Sequence, residues 1–199
     1  EVPRGAIEER VSRLNELIAE ADPETLEDYR DRLDISWVHH DSALEGSVHG
    51  PAELAAALSD QAVSDSSLLP AYDEVRQNKV AIELVRELSE RKRLPMNLEL
   101  IKKIYGALAP DEVEGKGTPK YRKDNPIHRM YFHDLAPADK ISYRMRKLTD
   151  WFRTDECRKA HPIELATEVH RELIRIFPWP DISGRVARLV MNAILVNED

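Results

Sequence analysis

The most informative segment of the chain reads IFPWPDISGRVAR and covers residues 176–188. Pro178 and Pro180 predict that a helix ends here and that an extended turn follows, because proline fixes φ and disfavours a helical residue before it. A new helix is expected directly after the turn. Asp181 or Ser183 can cap it, since both side chains accept hydrogen bonds from the first N–H groups of a helix.

The first turns of that new helix have the composition of an anion site. Gly184 lets a ligand approach the backbone closely, and Arg185 and Arg188 lie on one helix face. Free N–H groups and a partial positive charge at the helix start add to the attraction for anions. Asp181 is the residue expected to hold Mg²⁺ between phosphate oxygens. The alternative is that Asp181 and Ser183 are ordinary caps and that the arginines pair with acidic neighbours.

The rest of the chain predicts a succession of helices. Apolar residues at helical spacing stop at Asp22-Pro23, where a capping aspartate and a proline at the first helical position begin a second helix. Further helices are predicted over residues 72–92, 97–108, 139–152, 161–176 and 183–195, and a β-hairpin or extended flap within residues 115–137. The predicted fold class is therefore mostly α, with one small β-hairpin.

Composition and charge narrow the classes of function. The 199 residues fit one large domain or one domain with a small extension. Residues 116–199 carry 16 basic and 12 acidic side chains, whereas residues 1–115 carry 13 and 25. The positive excess suits an anionic ligand but is too weak for a nucleic-acid binder. No apolar run is long enough to cross a membrane, and the single Cys157 indicates a reducing, cytoplasmic setting.

The segment described above resembles the signature of Fic (Fido-fold) domains, His-x-Phe-x-Asp/Glu-Gly-Asn-Gly-Arg-x-x-Arg, and aligns to it without gaps. Asp181, Gly184, Arg185 and Arg188 match. The resemblance covers roughly residues 70–196. It implies a Fic/Fido helical core over residues 70–199, preceded by an N-terminal helical segment over residues 1–69.

Four signature positions depart from the family. Phe177 stands where the family has its catalytic histidine, Trp179 where it has Phe, and Ile182 and Ser183 where it has Gly and Asn. In Fic enzymes the histidine takes a proton from the target hydroxyl, which then attacks a nucleotide phosphate. Phenylalanine has no titratable group and cannot act as this base. Ile182 is also expected to crowd the backbone nest that binds the phosphates.

The matching residues keep the anion-binding half of the site. The resemblance implies Mg²⁺ and ATP or a related nucleotide as ligands, and Asp181 as the metal residue. Asp181 is also the catalytic candidate that remains, because burial or nearby charge can turn an aspartate into a base. His170, two helical turns before Phe177, is a weaker candidate for this role. The residues expected to bind nucleotide or phosphate are Ser183, Gly184, Arg185 and Arg188.

A second resemblance lies near residue 45. Asp41-Ser42-Ala43-Leu44-Glu45-Gly46 resembles the inhibitory segment Ser/Thr-x-x-x-Glu-Gly/Asn of many Fic proteins, with Asp41 in place of Ser or Thr. In the family this glutamate pairs with the second motif arginine, here Arg188, and blocks productive placement of the nucleotide. The resemblance therefore implies that Glu45 is regulatory. The alternative is that Glu45 simply ends a helix before Gly46.

The predicted flap and the site together leave three functions open. Ile127, His128 and Met130 lie in the segment that resembles the family's target-docking flap, which implies a protein target or partner. The first function is a divergent Fic-like protein that keeps part of a nucleotide site but lacks ordinary AMP transfer. The second is nucleotidyl, phosphoryl or glycosyl transfer to a protein hydroxyl with a different base or donor. The third is a pseudoenzyme that binds or regulates a partner; a homodimer is compatible with each.

Overall fold

The structure, a computed structural model, describes residues 4–59, 66–113, 119–126 and 134–197. Within these ranges the regular structure is α-helical, with short 3₁₀ turns at Ser66–Leu68 and Ala138–Lys140 and no β-strand. The α-helices are α1 (Arg4–Glu20), α2 (Pro23–Leu44), α3 (Pro51–Leu58), α4 (Leu69–Ser89), α5 (Leu98–Leu108), α6 (Pro110–Val113), α7 (Ile141–Trp151), α8 (Asp155–Lys159), α9 (Pro162–Ile176) and α10 (Ser183–Asn197).

The mostly α prediction is confirmed, and several helix starts follow from local chemistry. The Asp22 carboxylate accepts a hydrogen bond from Thr25 N at 2.9 Å and so caps α2. Helix α4 begins three residues earlier than predicted, because Pro70 lies in the first turn, where no N–H is required. Of the segment 115–137, in which a hairpin or extended flap is predicted, residues 119–126 and 134–137 are described and contain no strand, whereas Ile127, His128 and Met130 lie outside the described ranges.

The core lies where α10 packs against α9, α4 and α5. Side chains from all four helices are fully buried there, among them Val85, Ile101, Leu173 and Val190. The first residues of α10, from Ser183 to Ala187, are buried. None of the helices in the described ranges combines the length and apolar composition that a bilayer-spanning segment requires.

Helix α2 lies across α4 and α3 and is held partly by charge. The buried Asp34 carboxylate accepts two hydrogen bonds from the Arg86 guanidinium of α4, an arrangement with strict geometry. Val38, one turn further along, is fully buried. These contacts bring the C-terminal end of α2 to the start of α10.

Removing the Asp34 carboxylate is expected to weaken the attachment of α2. We expect Asp34→Ala to lower the free energy of unfolding by about 2 kcal/mol, below the full cost of breaking a buried pair because Arg86 keeps access to water. Urea denaturation followed by circular dichroism measures this loss. The exposed pair of Asp28 and Arg32 on the same helix supplies the control, because Asp28→Ala is expected to cost less than about 0.5 kcal/mol.

Candidate functional site

The turn between α9 and α10 has an unusual backbone. Phe177 adopts a left-handed conformation with φ 46° and ψ 66° and is the sole non-glycine residue with positive φ in the described ranges. Such a conformation costs on the order of 1–3 kcal/mol and persists only where the surroundings impose it. Pro178 and Pro180 follow and carry the chain to Ser183, the first residue of α10.

Arg122 imposes this backbone. Its guanidinium is buried, and its Nε donates to the Phe177 carbonyl at 2.6 Å while Nη2 donates to Ile176 O at 3.2 Å. The backbone N–H of Arg122 donates to Pro178 O at 2.9 Å. Three successive carbonyls of the turn are therefore held by one residue. A cation at the C-terminal end of α9 is also favoured by the helix dipole.

The same guanidinium also contacts the described chain on either side of residues 127–133. Its Nη1 donates to the Asn125 side chain at 2.6 Å, and its Nη2 donates to Ala136 O. Ala136 N in turn donates to Arg175 O at 2.9 Å. Burial lowers the pKa of Arg122, and the acceptors around it are neutral. No sequence pattern around Arg122 indicates this role.

The capping prediction for the start of α10 is wrong. The Ile182 carbonyl accepts the first helical hydrogen bond, from Val186 N at 2.9 Å, so Ile182 occupies the N-cap position. The buried Ser183 hydroxyl accepts from Trp179 N and donates to Trp179 O, both at 2.7 Å. Ser183 therefore closes the turn rather than lining a ligand surface, and Asp181 lies exposed before the helix.

Trp179 and Phe177 are buried packing residues. Trp179 is fully buried, and its ring packs 4.3 Å from Tyr105 and 5.9 Å from Tyr121 between ring centroids. Burial raises the pKa of Tyr105, as do a hydrogen bond to Glu112 and the nearby charge of Asp181. The Phe177 ring is equally inaccessible. At both of these divergent positions the side chain is buried and carries no titratable group, and Trp179 belongs to the hydrophobic core.

Arg185 and Arg188 lie together, as their spacing predicts, and both face carboxylates. Arg188 Nη2 donates to Glu45 Oε1 at 2.7 Å, and its Nε donates to Asp41 Oδ1 at 2.5 Å. Burial disfavours the charged guanidinium, but the two carboxylates outweigh this and raise the pKa of Arg188. Arg185 Nη2 donates to Glu74 Oε1 on α4 at 2.7 Å.

Asp41 also contacts Arg185. Its Oδ2 lies 2.9 Å from Arg185 Nε, close enough for an ion pair, although this N–H is not aligned for a hydrogen bond. The same Oδ2 accepts from the Asn78 amide at 3.3 Å. Asp41, Glu74 and Asn78 were not identified as site residues from the sequence, although the four-residue spacing of Asp41 and Glu45 places both on one helix face.

The Glu45 carboxylate lies directly on the Gly184 backbone. A Cβ atom added at Gly184 would meet Glu45 Oε1 at 2.6 Å and Arg188 Nη1 at 3.1 Å. Glycine is therefore needed for this approach. A carboxylate at a helix N-terminus beside an arginine is the arrangement expected for a bound oxyanion.

His170 of α9 lies near the same arginine. Partial burial lowers the pKa of His170, and the positive charge of Arg188 lowers it further. The folded protein therefore binds this proton less readily than the unfolded chain, in which the pKa is about 6.5. This difference contributes stability above that pH, and the contribution is lost as the pH falls below it.

Replacing His170 should remove this pH dependence. We expect His170→Asn to lose less unfolding free energy than the unmodified protein when the pH is lowered from about 7.5 to about 5. Urea denaturation at the two pH values measures both losses. Equal losses in the two proteins would show that His170 titrates alike in the folded and unfolded chains.

The residues present fit a single-carboxylate metal site. In the described part of the chain no group of three His, Cys, Asp or Glu side chains is placed to hold a metal ion. Asp181 is exposed beside the start of α10, where Mg²⁺ would complete its shell with ligand phosphate oxygens and water. Asp181 thus fits Mg²⁺ that arrives with a phosphate-bearing ligand.

Comparison with known proteins assigns the chain to a family. The family model described as "Fic/DOC family" matches residues 95–195, just over half of the chain. The chain belongs to the Fic/DOC family. Its Fic region thus includes α5 and the motif turn and extends into α10. The predicted family is confirmed.

Curated relatives of this Fic protein are named "Protein adenylyltransferase Fic". The relative from Drosophila willistoni is 24% identical over 162 residues, which are 80% of this chain and 31% of the relative. The relative from Nematostella vectensis is 26% identical over 165 residues, which are 80% of this chain and 36% of the relative. The chain spans about a third of the length of these relatives.

Solved Fic structures share its fold. A Fic domain containing signaling protein from Bacteroides thetaiotaomicron superposes with a TM-score of 0.78 at 22% identity, covering 96% of this chain and 72% of that one. A Fic family protein from Desulfovibrio desulfuricans gives 0.64 at 22% identity, covering 99% and 59%. These similarities confirm the helical Fic fold predicted from the sequence.

Proposed function

We propose that this Fic domain binds a nucleotide or a related phosphate-bearing ligand at the start of α10, and that Glu45 blocks this site in the state described. The observation that supports the proposal is the Glu45 carboxylate on Gly184 and Arg188. It occupies the position that a ligand oxyanion would take at a helix N-terminus. Regulation by Glu45 is part of the proposal.

The proposed domain does not carry out ordinary AMP transfer. Phe177 supplies no proton acceptor, and its side chain is buried. Bound Mg²⁺ would neutralise phosphate charge, and Asp181 would hold it. Arg185 and Arg188 would bind and orient the phosphates. Since the curated relatives are named protein adenylyltransferases, a protein target or partner belongs to the proposal.

Calorimetric titration with Mg·ATP tests the proposed site. We expect Glu45→Gly to bind Mg·ATP at least about tenfold more tightly than the unmodified protein, because a charge-assisted hydrogen bond worth about 1.5–3 kcal/mol no longer competes with the ligand. Glu90→Gly is the matched control, since Glu90 ends α4 as Glu45 ends α2. Equal affinities in Glu45→Gly and Glu90→Gly would refute the proposed site.

The absence of AMP transfer is tested on the same variant. We expect Glu45→Gly incubated with Mg·ATP labelled at the α-phosphate to place no label on itself or on added protein, because no base replaces the histidine. Label incorporation that disappears in Glu45→Gly/Arg188→Ala would contradict this part of the proposal.

A further inference from the structure

We propose that Asp41 is a second internal anion that closes the phosphate site independently of Glu45. This inference rests on the proposed function and adds a second regulatory residue at the same site. The sequence places an aspartate where the inhibitory segment of the family has a serine or threonine. The substitution therefore adds a negative charge beside the two motif arginines.

The geometry shows that Asp41 engages both arginines at once. One carboxylate oxygen lies 2.5 Å from Arg188 Nε and the other lies 2.9 Å from Arg185 Nε. Glu45 contacts Arg188 through its Oε1 at 2.7 Å, and Glu74 contacts Arg185 at 2.7 Å. Asp41 thus bridges the two guanidinium groups. In the proposed site, a bound phosphate would take this bridging position.

The charges of the cluster favour the internal anions. Two guanidinium groups face three carboxylates, because Glu74 also binds Arg185. The side chains of Asp41 and Arg185 are only 3% and 6% exposed, so water screens their attraction little. When Glu45 is removed, Arg188 still contacts Asp41. Arg185 still contacts both Asp41 and Glu74. Each arginine therefore keeps a carboxylate partner.

The two carboxylates also differ in how easily they can leave. Glu45 is the C-cap residue of α2 and precedes Gly46, whose φ of 94° permits a sharp change of direction. Asp41 lies one turn inside the helix, and the Asn78 amide also donates to it. Glu45 can swing away with the end of the helix, whereas Asp41 leaves the arginines only if the last turn of α2 moves or unwinds.

Four proteins test the inference: the unmodified chain, Glu45→Gly, Asp41→Ser and the double variant. Asp41→Ser restores a residue type found in the family's inhibitory segment, and Asp28→Ser removes an exposed carboxylate from the same helix as a control. Circular dichroism establishes that each variant is folded. Hydrogen exchange of the amides of residues 41–46 then reports how firmly the end of α2 is held, without any ligand.

We expect Glu45→Gly to keep most of this protection and the double variant to lose it. Calorimetry with Mg·ATP is expected to show a further gain of about 5- to 150-fold in affinity for the double variant over Glu45→Gly, the usual range for coupled sites. Equal exchange in Glu45→Gly and the double variant would overturn the inference, as would equal, measurable Mg·ATP affinities. If protection depends on Asp41 but no variant binds Mg·ATP, the nucleotide function fails, and with it the role of Asp41 in closing a nucleotide site.

Discussion

Arg122→Met is expected to lower the free energy of unfolding by at least about 3 kcal/mol. The change removes the donors that hold Ile176 O, Phe177 O and Ala136 O, and buried carbonyls without partners cost about 1–3 kcal/mol each. Because methionine keeps an apolar side chain of similar length, the loss of unfolding free energy measures the contribution of the guanidinium group. Part of the cost is offset because a buried cation no longer has to be desolvated.

The position of Arg122 makes a second effect expected. Once the guanidinium no longer donates to the Phe177 carbonyl, the left-handed backbone of Phe177 can relax, since such strain persists only under external constraint.

Urea denaturation followed by circular dichroism measures the loss of unfolding free energy. Lys123→Met is the control, because Lys123 is exposed and adjacent in sequence. A loss below about 1 kcal/mol in Arg122→Met would contradict the role assigned to this arginine.

Trp179→Ala is expected to lower the free energy of unfolding by about 3–5 kcal/mol, because truncation of a buried large aromatic residue leaves a cavity that the core fills only in part. Trp179 is fully buried and packs on Tyr105 and Tyr121. Its backbone N–H donates to the Ser183 hydroxyl, and alanine keeps this N–H, so the loss in Trp179→Ala measures the packing of the ring.

The same denaturation experiment measures this loss. Trp151→Ala provides the comparison, since Trp151 is only partly buried on α7 and is expected to cost less than half as much. Similar losses for the two tryptophans would mean that Trp179 is not an anchor of the motif turn.

Much of the fold and part of the site follow from local sequence patterns. Helix periodicity, the Asp22 cap and the prolines of the motif turn act within a few residues of themselves, so the sequence predicts them. The Glu45–Arg188 pair, 143 residues apart, was predicted only through the resemblance and is present in the structure. No pattern near either residue reveals that they meet.

The remainder of the site depends on tertiary contacts. Glu74 reaches Arg185 across 111 residues, and Arg122 reaches Phe177 across 55. Ser183 was expected to cap α10 because serine favours that position, but the helix begins at Ser183 itself, one residue earlier than such a cap requires. The Ser183 hydroxyl instead forms hydrogen bonds with the backbone N–H and carbonyl of the buried Trp179. Burial and long-range pairing decided these positions over local preference.

The central claim is that Glu45 occupies the oxyanion position at the start of α10. A crystal structure of Glu45→Gly at saturating Mg·ATP tests it most directly. We predict density for a phosphate group within hydrogen-bonding distance of the Gly184 N–H and the Arg188 guanidinium. Well-ordered crystals without ligand density at this position, or with the nucleotide bound elsewhere, would contradict the claim.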